Sequence, residues 1–297
     1  MYPRWLWRAS ALPGTVWLFL LFLVPLYAVV AIAFGDVSPI FQLPVPVWNP
    51  LDWHFEHMSQ VLTLFAPSHE LWLVFVRTLI YVVAALALSV LIGYPVAYYI
   101  ARFSHRSRTT LIVLLLVPFL VSYMLRMLSW VNLLAPDGYV NSVLTGLGIL
   151  RTPYDWLGGH GFVVVLGLVY GYVPYLILPL YATLDRIDQR HLEAARDLGA
   201  SRFSTFIHVT LPLSKTGLLG GAAIIALPMF GDYYTTNILS GTPDTSMLGN
   251  QIDFYFHGGP QPTVGAAITV VLAAFLVVVM SYYLFSVNRA QKEMHAV

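Results

Sequence analysis

Six long apolar runs alternate with polar segments along the chain, at roughly 15–34, 71–100, 109–134, 161–184, 216–240 and 263–287. Each is near the ~20 residues an α-helix needs to cross about 30 Å of hydrocarbon. The pattern predicts an all-α, polytopic membrane protein with six transmembrane helices. The first run, TVWLFLLFLVPLYAVVAIAF, follows Arg4 and Arg8, and Ala31-Ile32-Ala33 could serve as a signal-peptide cleavage site. The run is longer than a usual signal core and contains Pro25, so an uncleaved first span is expected. Gly93 and Pro95 lie near the inner end of the second span, Pro118 and Arg126 inside the third, and Pro228, Gly231 and Asp232 inside the fifth. The polar segments divide the chain into three parts. Residues 1–70 hold an N-terminal tip, the first span and an outer loop, 71–287 form a five-span core, and 288–297 are a tail.

Composition agrees with this class. Of 297 residues, 58% are hydrophobic and only 10% charged, against about 25% charged in a soluble domain. With no cysteine there is neither a disulfide nor a thiolate metal site. The basic residues are scattered among loops around a net charge of +1, which gives nucleic acid no surface. With the N-terminus in the cytoplasm, the inner segments hold twelve basic residues: Arg4, Arg8, Arg102, Arg106, Arg108, Arg186, Arg190, Arg196, Arg202, Lys215, Arg289 and Lys292. The outer segments hold Arg151 alone, and Arg77 and Arg126 fall within spans. The positive-inside rule therefore predicts that both termini and residues 185–214 are cytoplasmic. Residues 35–70 contain no Lys or Arg and include Trp48, Trp53 and Phe55, as expected of an irregular loop at the outer interface.

Residues 185–214, DRIDQRHLEAARDLGASRFSTFIHVTLPLS, are a long polar stretch between two apolar runs. Asp188 can cap a helix with Leu192, Ala195 and Leu198 on its apolar face, and Gly199 can end it in a left-handed conformation. Ser201 can cap a second short helix, with Phe203, Phe206 and Ile207 on one face and Pro212 closing it. Glu193-Ala194-Ala195, then three residues, Gly199, nine residues, Val209, one residue and Leu211-Pro212 fill every fixed place of a known signature. The stretch resembles the EAA loop of ABC-importer permeases. One departure is Lys215-Thr216-Gly217, where the family often has a further proline before glycine. The resemblance implies a type I ABC-importer permease fold in the bacterial inner membrane. It also implies that the loop is a coupling helix, with Glu193, Ala194, Ala195, Asp197 and Gly199 at a cytoplasmic ATPase.

The chain offers little chemistry of its own. A phosphate-cradling G-x4-G-K-[S/T] loop is missing, since Lys215 follows Ser214 and Lys292 precedes Glu293. ATP and Mg are therefore expected on a partner subunit, with no cofactor here and no enzymatic activity in this chain. His54, Glu56 and His57 are closely spaced, but a solvated loop is the expected reading rather than a metal site.

Charge inside the spans is costly and usually faces a cavity or a partner. Asp232, with Tyr233, Tyr234 and Asn237, follows Pro228 and Gly231, where a helix can bend. It either lines a translocation path, attracting a cation with tyrosines packed against it, caps a broken helix, or pairs with an arginine such as Arg126. Arg126 is read as a structural ion pair or a snorkelling side chain, and Arg77 as snorkelling. Arg126 and Trp130 fall in PFLVSYMLRMLSW. That segment and GDYYTTNILSGTPDTSMLGNQI resemble spermidine/putrescine permeases of the PotB and PotH type.

By that resemblance the chain works with a dimer of ABC ATPases, a second homologous permease subunit and an extracytoplasmic solute-binding protein, in contact with membrane lipid and a small cationic solute. Permeases for ferric iron, thiamine, sulfate or phosphonate share the EAA loop and are the alternative. A secondary transporter would show repeated halves, and none is evident.

Overall fold

The computed structural model describes residues 4–40, 43–67, 69–104, 106–257 and 261–295, with side chains between 10 and 287. Among the described residues, five helices are long and apolar enough to cross a membrane: Ser10–Ala33, Glu70–Arg102, Gly161–Arg186, Arg202–Phe230 and Pro262–Val287. A sixth crossing exists only if a bent pair, Arg108–Leu120 and Tyr123–Gly146, counts as one. The chain groups into two compact units, residues 1–73 with 251–278 and residues 74–250 with 279–297.

In the first unit, the helical stretch ending at Ala33 leads into a two-stranded antiparallel pair, Asp36–Val37 with Pro44–Val45. Phe34 stacks on Trp53 at 4.5 Å and meets Phe55 edge-on at 5.2 Å. Trp53 Nε1 donates to Val47 O at 3.0 Å. The loop has little regular structure up to Phe55, as expected, but its aromatic residues pack on one another, and a helix, Glu56–Leu64, follows. His54 Nδ1 lies 3.5 Å from Asp36 Oδ2, and among the described residues no group of three potential ligands could hold a metal.

The second unit departs from the hydropathy pattern in two places. The third span is not one helix over 109–134. The helix Arg108–Leu116 tightens into a 3₁₀ turn at Val117–Leu120, Val121 is extended (φ −81°, ψ 139°), and Tyr123–Leu134 starts afresh. The two pieces diverge by 88°. Pro118 has no N–H to continue the ladder, and the residues after it leave the helical region. The fifth span stops after Pro228, where a bend was expected, but it begins earlier than the hydropathy pattern indicates. Pro212 does not close a helix: Arg202–Thr205, a π-turn at Phe206–Thr210 and Leu211–Phe230 run on as one rod. The wider π-turn relieves the clash between the proline ring and the carbonyl four residues back. The rod stops at Phe230, and a separate helix covers Tyr234–Leu239.

Between apolar helices in lipid there is little hydrophobic drive, so close packing and interhelical hydrogen bonds decide which faces meet. Tyr94, Ala97 and Ala101 from the second span pack on Ile177, Leu180 and Leu184 from the fourth. Tyr94 Oη also lies 2.7 Å from Ser214 Oγ on the fifth. Arg77 does not snorkel. Its Nη1 donates to Pro243 O (2.9 Å) and Ser246 O (3.2 Å), pinning the turn after the short helix Tyr234–Leu239.

Asn141 organises the segment after the third span. Its Nδ2 donates to Ala135 O and Tyr154 O, and its Oδ1 accepts from Tyr154 N and Trp156 Nε1, all within 3.0 Å. It is 1% exposed. Asn141→Ala leaves buried donors without partners and should lower stability by about 2–3 kcal/mol, read as an earlier thermal transition of the detergent-solubilised protein. An unchanged midpoint would show that the segment holds without it.

Candidate functional site

The break in the fifth span builds a site around Asp232. Gly231 N and Asp232 N finish the preceding turn on Pro228 O (3.2 Å) and Met229 O (3.3 Å). Asp232 Oδ1 then accepts from Thr235 N at 2.9 Å, capping the helix Tyr234–Leu239. Its Oδ2 accepts from Thr235 Oγ1 (2.9 Å), Tyr123 Oη (3.0 Å) and Tyr172 Oη (3.0 Å). Asp232 is 6% exposed, so these four donors replace its water. A carboxylate at the centre of a membrane helix costs about 3 kcal/mol, whereas each hydrogen bond to a charged group returns roughly 1.5–3 kcal/mol. The third, fourth and fifth spans are thereby tied to one group. Gly171 permits the approach of Tyr123, because a Cβ there would stand 2.7 Å from the ring's Cε2.

Arg126 does not pair with Asp232. Its guanidinium lies 4.2 Å over the Phe119 ring, 5.4 Å from Tyr123 and 5.8 Å from Tyr170. It is neither in an ion pair nor snorkelling: it is 6% exposed, and Nε and Nη1 have no hydrogen-bond partner among the described residues. Tyr123 separates the two charges, giving its ring to Arg126 and its hydroxyl to Asp232. Phe119, in the 3₁₀ turn after Pro118, and Tyr123, at the start of the next helix, both meet the Arg126 guanidinium.

A cavity of about 470 Å³ opens here, bounded by Phe119–Tyr123, Arg126, Gly171, Tyr172, Tyr175, Ile224 and Pro228. Asp232 is not in its wall; Tyr123 and Tyr172 stand between them. Of the other residues expected here, Tyr233 and Tyr234 have their rings tilted at 4.9 Å, and Tyr234 Oη donates to Met124 Sδ at 3.9 Å. Asn237 Oδ1 accepts from Asn250 Nδ2, which also reaches Tyr233 O. Trp130 packs edge-on against Tyr170 at 5.4 Å, in the cluster of Met127, Leu134, Val163 and Leu239. These four line no part of the cavity. Tyr172 and Thr235 escaped the sequence reading because neutral hydroxyls in an apolar run give no signal until a carboxylate is placed beside them.

The 185–214 stretch keeps its expected start and hinge. Asp188 Oδ1 accepts from Arg190 N at 3.0 Å at the head of the helix Gln189–Asp197. Gly199 has φ +86°, a value only glycine holds at little cost. Ser201 Oγ caps Ser204 N at 3.1 Å. Glu193, Ala194, Asp197 and Gly199 are exposed and Ala195 is half-buried. The expected apolar face is split. Leu192 is buried, but Leu198 is 89% and Phe203 75% exposed. Phe206 instead packs between Tyr94 (5.5 Å) and Tyr98 (5.7 Å). At the base of the stretch, Arg108 is paired with Asp185 and hydrogen-bonded to Tyr181 Oη, while Arg102 Nη2 donates to Ile187 O at 3.1 Å.

Relatives agree with this architecture. Spermidine/putrescine transport system permease protein PotB of Escherichia coli is 34% identical over 201 residues, 68% of this chain and 72% of PotB. PotB of Haemophilus influenzae is 31% identical over 288 residues, 93% of this chain and 91% of its own length. A solved bacterial ABC transporter involved in the import of the acidic polysaccharide alginate shares the fold, with a TM-score of 0.65 at 19% identity over 97% of this chain and 96% of that one. The family described as binding-protein-dependent transport system inner membrane component matches residues 85–292. With that match spanning both broken helices and the glycine-hinged stretch, the chain belongs to this family of ABC-importer permeases.

Proposed function

We propose that this chain is the permease subunit of an importer for small aliphatic polyamines, of the spermidine and putrescine class, driven by ATP hydrolysis on a partner. The observation that carries the coupling reading is the 188–212 stretch. A capped helix ends at a positive-φ glycine, and its exposed face puts Glu193, Ala194 and Asp197 beside Leu198 and Phe203. An exposed apolar pair next to small and acidic residues suits insertion into a groove of another protein. The polyamine reading is supported by the PotB relatives, permease proteins of spermidine/putrescine transport systems. The charge bias of the loops favours the inner-membrane orientation with both termini cytoplasmic.

In this reading an extracytoplasmic binding protein delivers the solute, and a second, homologous permease subunit completes the passage. Two ATPase subunits bind ATP and Mg and move the 188–212 stretch. Movement passes from that stretch through Asp185 and Arg108 into the helix Arg108–Leu116, and through the Phe206 contacts into the second span. The first route leads to the break after Pro118. Switching by rigid pieces about such breaks is the usual form of domain motion.

Reversing the charge in the groove should be decisive. Glu193→Arg is expected to reduce ATP-driven polyamine uptake about tenfold or more, with the ATPase lost from co-purification. Uptake at the wild-type rate would remove the coupling role. Asp185 and Arg108 form a partly exposed pair, worth about 0–1 kcal/mol of stability, so Asp185→Arg should leave folding intact while uptake falls. Arg108→Asp in the same chain should restore it. Asp232→Asn is expected to lower uptake roughly three- to tenfold through weakened hydrogen bonds, while the assembled complex still elutes as one species. Normal uptake by that variant would take Asp232 out of the transport machinery.

A further inference from the structure

Cargo of multiple positive charge meets an unexpected wall in the cavity of about 470 Å³. Among the described residues that bound it, Arg126 alone is charged. Arg126 is pinned over Phe119 at 4.2 Å and is 6% exposed, with Nε and Nη1 unpartnered among the described residues. Asp232, behind Tyr123 and Tyr172 of the wall, is committed elsewhere. It accepts from Thr235 N and Thr235 Oγ1 and from the hydroxyls of Tyr123 and Tyr172, and it does not reach the wall. An ammonium group in this space therefore faces a fixed positive charge, with ring faces and neutral groups such as the tyrosines and Ser122, but no carboxylate among the described lining residues, to attract it. Buried charges interact strongly because little water screens them.

The geometry points to Arg126 as a specificity-determining residue that weakens the hold of the cavity on cationic solute. It shortens the residence of each amine, so that cargo handed over by the binding protein passes instead of lodging. A pore must bind its ion well enough to admit it and weakly enough to release it, and fixed positive groups are one known barrier to cations. Repulsion scales with the charge of the cargo. The effect is thus larger for a diamine than for a monoamine of the same chain length, and absent for a net-neutral amino acid.

This rests on the proposed cationic cargo, and the test separates the two. The intact importer, purified without its binding protein, is titrated by calorimetry with 1,4-diaminobutane, 1-aminobutane and 4-aminobutanoate. ATP-driven uptake of 1,4-diaminobutane is measured in proteoliposomes with saturating binding protein. Arg126→Gln and Arg126→Met should both bind the diamine roughly tenfold more tightly and turn over more slowly. The monoamine should gain less and the amino acid nothing. Arg126→Lys, which keeps the charge, should stay close to wild type in both readouts. Loss of packing alone would weaken binding in all three variants.

Unchanged or weaker diamine binding in the Gln and Met variants overturns the proposal. So does 4-aminobutanoate binding that depends on Arg126, which would make the guanidinium an anchor for carboxylates. If wild-type importer takes up none of the amines, the cargo reading falls first and the proposal with it. A Gln variant that turns over normally while binding the diamine tightly would also overturn it, because affinity would then not limit release.

Discussion

One carboxylate, placed where a helix stops, holds the middle of this molecule together. Asp232 receives two donors from Thr235 in the next short helix and one each from Tyr123 and Tyr172 on two other spans. In an apolar medium an unsatisfied carboxylate costs several kcal/mol, and so does an unsatisfied backbone group at a helix end. Asp232 resolves both at once, since its Oδ1 serves the freed N–H of Thr235 while its Oδ2 is solvated by hydroxyls. Each partner must then stay in register. Tyr123 keeps its place only because Gly171 has no side chain, and the turn that presents Tyr123 exists only because Pro118 interrupts the third span.

The two broken spans follow from this requirement. An unbroken third span would carry Tyr123 along a straight axis, whereas the 88° bend turns its hydroxyl to Asp232 and its ring face to Arg126. Arg126 is stabilised by the rings instead of a counter-ion. A guanidinium stacked on aromatic faces is worth about 2 kcal/mol when desolvated, less than a full ion pair, yet it leaves the positive charge uncompensated in the cavity wall. Had Arg126 and Asp232 paired directly, the cavity would be electrostatically neutral and the two segments fused. Keeping them apart preserves a charged wall and a joint between rigid pieces.

Much of this was legible in the sequence and some was not. Hydropathy located the membrane-crossing helices to within a few residues for the second, fourth and sixth spans, because length and apolarity alone set those limits. Local rules located Asp188, Gly199 and Ser201, since a cap and a left-handed glycine are decided within four residues of chain. Proline was the unreliable sign. Pro118 breaks its span and Pro212 does not, and the difference is a π-turn ahead of Pro212 that no local propensity announces. The exposure of Leu198 has a different origin. Six residues separate it from Leu192, about 120° around the helix, and it stands at the helix's end, so the three-residue spacing does not carry it onto the buried face.

The partners of Arg126 show where sequence reasoning reaches its limit. Two opposite charges in neighbouring spans suggest a pair, because each alone is expensive in lipid. That inference compares a pair with bare charges and omits a third possibility, in which neutral groups satisfy each charge separately. Tyrosine is suited to this, since its hydroxyl can solvate an anion while its ring face attracts a cation. Tyr123 does both here, so the expected ion pair is replaced by a tyrosine-separated one. The same residue stands in the cavity wall, so any motion that shifts the third span alters the environment of both charges together. Motion of the 185–214 stretch can reach Tyr123 through Arg108 and the helix that begins with it, which makes the separated pair sensitive to events in that stretch.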